Sequence, residues 1–584
     1  LAGKENQGFS SVSIGDSAGV YDQGNYSVSI GNNAGESNQG NRSISLGNGA
    51  GRDSQGIQSV AIGYQAGQTS QGSQSVSIGY LSGQTSQGSQ SLSIGVNAGS
   101  EGQNAQSLSI GTYAGESAQS EFSIAIGNAA GKLNQKEQSL AIGFGAGENY
   151  QNAACLAIGY LSGYEAQSTQ SAAIGYEAGK TNQGSNSDAY GYQAGKEYQG
   201  DFSIAIGNQS GEFSQNSECT AIGYLAGQSF QDDNSLAIGV MAGTSYQSSQ
   251  SMAIGNRAGE LSQGEFSMAI GNFAGQSSQS LNSLAIGYQA GRSYQSAESM
   301  SIGNYAGEIN QSIQALSIGN YAGNSNQGLY CTAIGYESAR YTQSNFSTSI
   351  GFRAGQSFQG TRNVAIGYYA GNSRQDYDCV AIGTFAGATS QGNECSAVGI
   401  YAGRYYQGGT DGKSAAFGYL AGESYQANKC TAIGVNAGRY RQGATGGDGS
   451  ATAVGNLSGW SYQEARATAV GKDAGRYHQR SHATSIGFRA GQSNQGTHAT
   501  AIGEDAGLAN QGSYSIAIGS QSGNGQAPET IIISANTSAF SNTTAVGGGF
   551  FVQPIRNASD TNALYYNPTT KEITYDVGGG GGGG

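Results

Sequence analysis

Proline is nearly missing from this chain: there are three in 584 residues, Pro528, Pro554 and Pro568, all towards one end. The rest is open to a continuous hydrogen-bonded ladder, from which proline is barred because it lacks a backbone N–H. Charge is scarce too, since Asp, Glu, Lys and Arg make up 11% against roughly 25% in ordinary soluble domains. The balance is acidic, with a net charge of −13, which speaks against nucleic acid because phosphate binding needs clustered Lys and Arg. No apolar run approaches the ~20 residues of a membrane-spanning helix. Six cysteines lie far apart, with no pairing at short spacing, which excludes a disulfide-built module. The chain opens at Leu1 with no Met and no charged-then-apolar leader, as expected of a processed or partial chain.

What is abundant is glycine, 99 residues, with Ser, Gln, Asn, Ala and 36 tyrosines. Such a mixture suits disorder unless it is periodic, and here it is periodic. Ser27-Val28-Ser29-Ile30-Gly31 returns sixteen residues later as Ser43-Ile44-Ser45-Leu46-Gly47, and again as Ser59-Val60-Ala61-Ile62-Gly63. The closing glycine falls at Gly15 and every 16 residues to Gly399, then at 418, 434, 455, 471, 487, 503 and 519, making 32 markers. The unit reads Ser, aliphatic, Ser/Ala, Ile, Gly, two variable residues, Ala, Gly, three variable residues, Gln, and three more.

Sixteen residues dense in glycine are too short for a helical hairpin. Alternation of small-polar and aliphatic residues is the period-2 signature of a strand. The expected fold is therefore all-β: a β-solenoid, or parallel β-roll, of about 32 coils, each with two short strands, stacked ~4.8 Å apart into a rod of ~150 Å. The shaft is expected over residues 1–526, a short β-rich cap or neck over 527–577, and a poly-Gly tail over 578–584. Aliphatic residues such as Val28, Ile30 and Ile254 are expected inside the coil. Slots of mixed chemistry, such as that holding Glu36, Arg52, Lys132 and Trp460, are expected in water. The glutamine slot admits nothing but Gln from Gln7 to Gln511. A turn would also accept Asn, Ser or Asp, so Gln7, Gln23, Gln39, Gln55, Gln71, Gln87 and their successors are expected to form a stacked amide ladder.

Each coil offers few apolar residues, a thin core for a free-standing rod. The Ser/Ala slots (Ser27, Ser29, Ser123, Ala125) form a strip of small side chains on which a second chain could pack closely. Ser-Val-Ala-Ile-Gly-x-x-Ala with a Gly-rich return resembles the head repeats of trimeric autotransporter adhesins (YadA-like). That resemblance covers roughly residues 2–526 and implies three parallel chains around one axis; this unit is longer and has the added Gln. The stretches from Gly547 to Asn557 and from Leu564 to Tyr575 are similar to segments of fibre-like proteins of large DNA viruses and phages. There such a stretch often precedes an intramolecular chaperone domain; here seven glycines, Gly578 to Gly584, follow instead.

Candidate chemistry is thin. All six cysteines (Cys155, Cys219, Cys331, Cys379, Cys395, Cys430) occupy the opening Ser slot, where replacement of a small buried Ser is the expectation and inter-chain bridging the alternative. His482 and His498 share one slot and His478 is near, but helpful carboxylates are lacking, so no metal is expected. Tyr64, Tyr80, Tyr160 and Tyr176 follow marker glycines; exposed rings there would stack on glycans or equally cover the edge of the core. Two insertions, Gly408 to Lys413 and Gly443 to Gly449, bring in Asp411 and Asp448, too few oxygens for calcium. Sequons such as Asn25-Tyr26-Ser27, Asn41-Arg42-Ser43 and Asn536-Thr537-Ser538 permit glycosylation. The reading is a non-enzymatic extracellular or virion- or cell-surface fibre or adhesin shaft without cofactor. Its partners would be its own copies (a homotrimer, or an end-to-end filament) and a host-surface glycan or receptor. The alternatives are a solenoid that binds or cleaves polysaccharide, for which Asp232-Asp233 is the nearest acidic pair, and an ice-binding array of Ser-x-Ser columns.

Overall fold

The computed structural model describes residues 2–443, 448–536, 538–540, 548–555 and 564–575. It forms two compact units, Leu1–Arg374 and Gln375–Gly584. Among the described residues every regular element is a strand, and the architecture is a parallel β-solenoid with sixteen-residue spacing. Each coil holds an aliphatic strand of three residues, such as Val28–Ile30, and most hold a glutamine strand, such as Ser37–Gln39. Both pair in parallel with their equivalents sixteen residues on, Val28 with Ile44 and Gln39 with Gln55. The first unit has twenty-three aliphatic strands and the second eleven, which makes about 34 turns in all.

The ladder leaves few backbone groups over. Val28 N donates to Ser43 O at 2.9 Å and Gly31 N to Ile14 O at 2.8 Å, so a coil bonds both neighbours. Those alternating bonds explain why no proline stands within the array: an absent N–H would orphan a carbonyl in the next coil.

The facing of the aliphatic strand reverses the sequence expectation. Ser29, Ser45, Ala61, Ala125 and Ala253 are fully buried, whereas Val28 and Ile30 on either side are only half-buried. Ile254 is half-buried as well. The interior is filled by the alanine and glycine after the marker, the glutamine, the opening Ser or Cys, and the middle Ser or Ala; apart from Ile532, the largest fully buried side chains are glutamines. The physical reason is width. Gly259 carries a φ of +52°, and a Cβ added there would lie 2.7 Å from Gln263 Oε1 and 3.2 Å from Ala253 Cβ. The two sheets are too close for anything larger than Ala or Ser between them, once the glutamine has crossed the gap. The small-residue strip, Ser27, Ser29, Ser123 and Ala125, is thus the inside of its own coil and cannot contact a second chain.

The marker glycine is required for a second reason. Gly255 has a φ of +130°, and a Cβ there would stand 2.6 Å from Gly271 O in the next coil. Only glycine adopts that conformation readily and permits that approach. Each coil also holds non-glycine residues in the left-handed region, among them Arg257, Ser262 and Phe266 at φ of 53–54°.

The second unit absorbs its insertions without loss of register. Ser396 still pairs with Ala415, and Thr431 with Thr452. The first insertion folds on itself, with Gly412 N donating to Gly408 O at 2.6 Å and Lys413 N to Asn393 O at 2.8 Å. Stacking continues past residue 526: Thr530–Ser534 pairs in parallel with Ile516–Ile518, and Gly549–Gln553 with Thr530–Ser534. Leu564–Tyr566 and Ile573–Tyr575 form an antiparallel pair. The poly-Gly tail, residues 444–447 of the second insertion, Thr537 of the third sequon, and Gly547, Arg556 and Asn557 of the first C-terminal stretch lie outside the described residues.

Candidate functional site

Every coil is organised around its glutamine. Gln39 Nε2 donates across the coil to Val28 O and along the stack to Gln55 Oε1, both at 3.1 Å. Ser45 Oγ donates to the same Gln55 oxygen at 2.6 Å. Amide–amide bonds run without a break from Gln87 to Gln199 and from Gln215 to Gln359. Of the first six, Gln7 is exposed, Gln23 bonds to Val12 O and Ser29 Oγ, Gln39 links to Gln55, Gln71 bonds to Val60 O and Ser77 Oγ, and Gln87 links to Gln103. Buried amide oxygens are left without a partner at Gln71, Gln215 and Gln426. Gln526 replaces the expected end at Gln511: it stands one residue early in its coil, accepts from Gln511 Nε2 at 3.3 Å and is itself buried. The signal for it was in the sequence, a Gln one place before Ala527.

The tyrosines are stacked on one another. Tyr64 and Tyr80 lie 5.2 Å apart at 10°, and Phe144, Tyr160, Tyr176 and Tyr192 form a continuous column at 5.0–5.2 Å. All four candidates are exposed, but a ring inside such a column offers solvent its edge and its hydroxyl, because the neighbouring rings cover both faces.

The cysteines are buried and in no disulfide. Each thiol sits where Ser otherwise bonds its own turn; Cys331 Sγ lies 2.9 Å from Ser344 O and Cys219 Sγ 2.8 Å from Asp232 O. Burial pushes the thiol pKa up, to about 12 for Cys379 and about 11 for Cys331, Cys395 and Cys430. Such thiols stay protonated and unreactive at neutral pH.

The acidic pair Asp232-Asp233 stitches coils together. Asp232 Oδ1 accepts from Asn216 Nδ2 and Asp233 Oδ1 from Ser217 N, at 3.2 and 3.0 Å. The sequon residues do likewise: Asn25 accepts from Phe9 N and Asn41 from Asn25 N, both at 2.7 Å. The slot of mixed chemistry is half-buried rather than fully in water, and its charges pair along the stack, as in Glu423 with Arg439 at 2.6 Å. Asp411 N bonds to Asn428 Oδ1 at 3.1 Å. Asp448 bonds Lys429 at 2.7 Å and pairs with Arg466 at 3.4 Å, and the hydrogen bonds from these two cations hold its carboxyl below the usual range. His482 and His498 stack at 4.5 Å, His498 on Tyr514 at 4.9 Å, and His478 on Tyr462 at 5.0 Å. Among the described residues no group of three or more His, Cys, Asp or Glu is arranged to hold a metal, and no helix is long and apolar enough to cross a membrane.

What sequence reasoning missed is the outer face of the aliphatic strand. Its two columns, Val or Leu and then Ile, run half-exposed from coil to coil, with Ile78, Ile174 and Ile206 at 36–38% exposure. A signal existed: the middle slot accepts only Ser and Ala, while the outer column tolerates Asp188, Ser396 and many Thr. The stricter slot is the core. No family model matches this sequence, and no curated protein matches it. A repetitive β-solenoid of this kind suits a structural shaft.

Proposed function

We propose that the chain is the shaft of an extracellular surface fibre, assembled as a parallel homotrimer through its aliphatic strand faces. The observation that carries this is the pair of half-exposed aliphatic columns, Val60, Ile62, Val76, Ile78 and their successors, repeated on one strand face from coil to coil. Full burial of a Val, Leu or Ile side chain stabilises by about 1.5–3 kcal/mol. Two half-covered side chains per coil therefore leave about 1–3 kcal/mol per coil unrealised in a single chain, a driving force that repeats along the stack. Parallel copies in register bring each column against its own equivalents. The number three rests on the resemblance to trimeric head repeats. The stacked aromatic edges and polar turns then form the outside, the side a glycan or receptor would meet. The nearest acidic pair, Asp232 and Asp233, is tied into the stack by hydrogen bonds from the preceding coil, which favours a shaft over a polysaccharide-cleaving solenoid. The Ser-x-Ser columns, such as Ser27 and Ser29 or Ser43 and Ser45, are buried inside the coil, which disfavours an ice-binding face.

Weighing and imaging the purified particle tests the reading. Straight rods with the mass of three chains at micromolar concentration are expected; a globule, a flexible string or a single-chain mass would overturn it.

A further inference from the structure

The chain carries −13 overall, yet residues 429–489 hold eight Lys and Arg against three Asp and Glu. Part of this charge lines an open groove of about 560 Å³ in the second unit, on the glutamine-strand side and away from the aliphatic columns. One wall is a column of side chains: the Arg441 guanidinium lies 5.3 Å from the Tyr462 ring centre, and Tyr462 stacks on His478. Arg480 joins them, with Asn494 and Asn510 further along, Asn494 Nδ2 donating to Asn510 Oδ1 at 3.0 Å. From Arg441 to Asn510 the column passes through five successive coils, about 19 Å at the stacking distance.

Arg441, His478 and Arg480 are exposed, and among the described residues neither arginine is in an ion pair. The one acid of the groove, Glu464, is occupied by Ser481, whose N and Oγ both donate to Glu464 Oε2 at 3.0 Å. Two unpaired guanidinium forks suit planar or tetrahedral oxyanions. Neutral amides between them suit hydroxyls. A nucleic acid would need a row of cations to follow its phosphates, whereas here the arginines alternate with amides and a carboxylate.

The geometry points to an extended acidic saccharide as the ligand of this groove, one that carries carboxylate or sulfate groups among its hydroxyls, with Arg441 and Arg480 as the acid-binding residues. The site does not depend on how many chains assemble, because it lies away from the aliphatic face. Titration of the full chain with oligogalacturonate, with a sulfated oligosaccharide of similar length, with a neutral maltooligosaccharide and with a single-stranded oligonucleotide tests it. Binding of one or both acidic saccharides is expected, with the tighter naming the acid group. Added salt should weaken it, and Arg441→Gln with Arg480→Gln should lose at least about tenfold at an unchanged melting temperature. Arg292→Gln, in the first unit, should bind as the parent does. If the double variant melts early, Arg480→Lys keeps the charge without the fork and should show a partial loss. Absence of binding to both acidic probes, equal binding of the neutral one, tighter binding of the oligonucleotide, or undiminished binding by a folded double variant would each overturn the assignment.

Discussion

The units Leu1–Arg374 and Gln375–Gly584 share an interior and differ outside. In both, the middle strand slot is Ser or Ala throughout the repeats. The outer column differs: the first unit fills it mainly with Val, Leu, Ile and Met, whereas the second has Thr431, Thr452, Thr468, Thr484 and Thr500 in five successive coils. The second also has both insertions and all three histidines. The lesson is that the fold is specified by what fits between two close sheets. Of the outward positions the turns and the Val/Leu column vary while the Ile column is largely kept, and this outer surface is where function has to be sought.

The largest expected effect comes from violating the shared interior. Ala253→Lys and Ala432→Lys each put an unpaired ammonium where the native residue is fully buried, so each should cost several kcal/mol and melt its own unit. Ser262→Lys, at an exposed position, should change stability by under about 0.5 kcal/mol. Equal melting of Ala253→Lys and Ser262→Lys would show that the interior has been misassigned.

Next is the ladder. Gln263 donates to Met252 O, Ser267 O and Gln279 Oε1 at 2.7–3.3 Å and accepts from Gln247, while the Gln426 amide oxygen has no partner. Gln263→Ala is expected to cost about 2–4 kcal/mol and Gln426→Ala about 1 kcal/mol less, as read by denaturant unfolding. The reverse order would remove the amide ladder from the account.

Alkaline pH should weaken both units through their buried thiols, Cys331 of the first unit among them with a pKa of about 11. A buried thiol whose folded pKa lies above its unfolded value near 9 keeps its proton in the fold and loses it on unfolding. Its contribution is full below pH 9 and is lost as pH rises towards the folded value, about 12 for Cys379 and about 11 for Cys395 and Cys430. Melting of the second unit should therefore fall between pH 9 and 12, and the triple Cys→Ser variant should lose that part of the slope. An unchanged slope in that variant would assign it to other groups.

The smallest effect is expected from the first insertion. Deleting residues 409–411 restores the sixteen-residue period, and because the flanking strands already pair in register, stability should move by less than about 1 kcal/mol. A large loss would mean that the loop is part of the stack.

Fold class, period and coil positions were legible from the recurrence of Gly, Ala and Gln, because those slots answer to backbone geometry and close approach. The facing of the strand was misread because Val28 and Ile30 look like a core by hydrophobicity alone. Size decided otherwise: the gap that admits Ala253 beside Gly259 and Gln263 has no room for isoleucine. The stitching role of Asn25, Asn41 and Asp233 was hidden, since a polar residue at a turn reads as solvated until the next coil's register is known. The Arg441–Arg480 groove joins residues two coils apart and was equally hidden.

The account's central claim is that the aliphatic columns face other chains while the small residues face inward. Disulfide capture measures it most directly. Ile254→Cys and Ala253→Cys differ by one residue and so sit on opposite faces of the same strand. After mild oxidation of the native particle and denaturation without reductant, Ile254→Cys should run as a covalently linked species of more than one chain, and Ala253→Cys as a single chain. Linkage at Ala253→Cys, or none at Ile254→Cys, would contradict it.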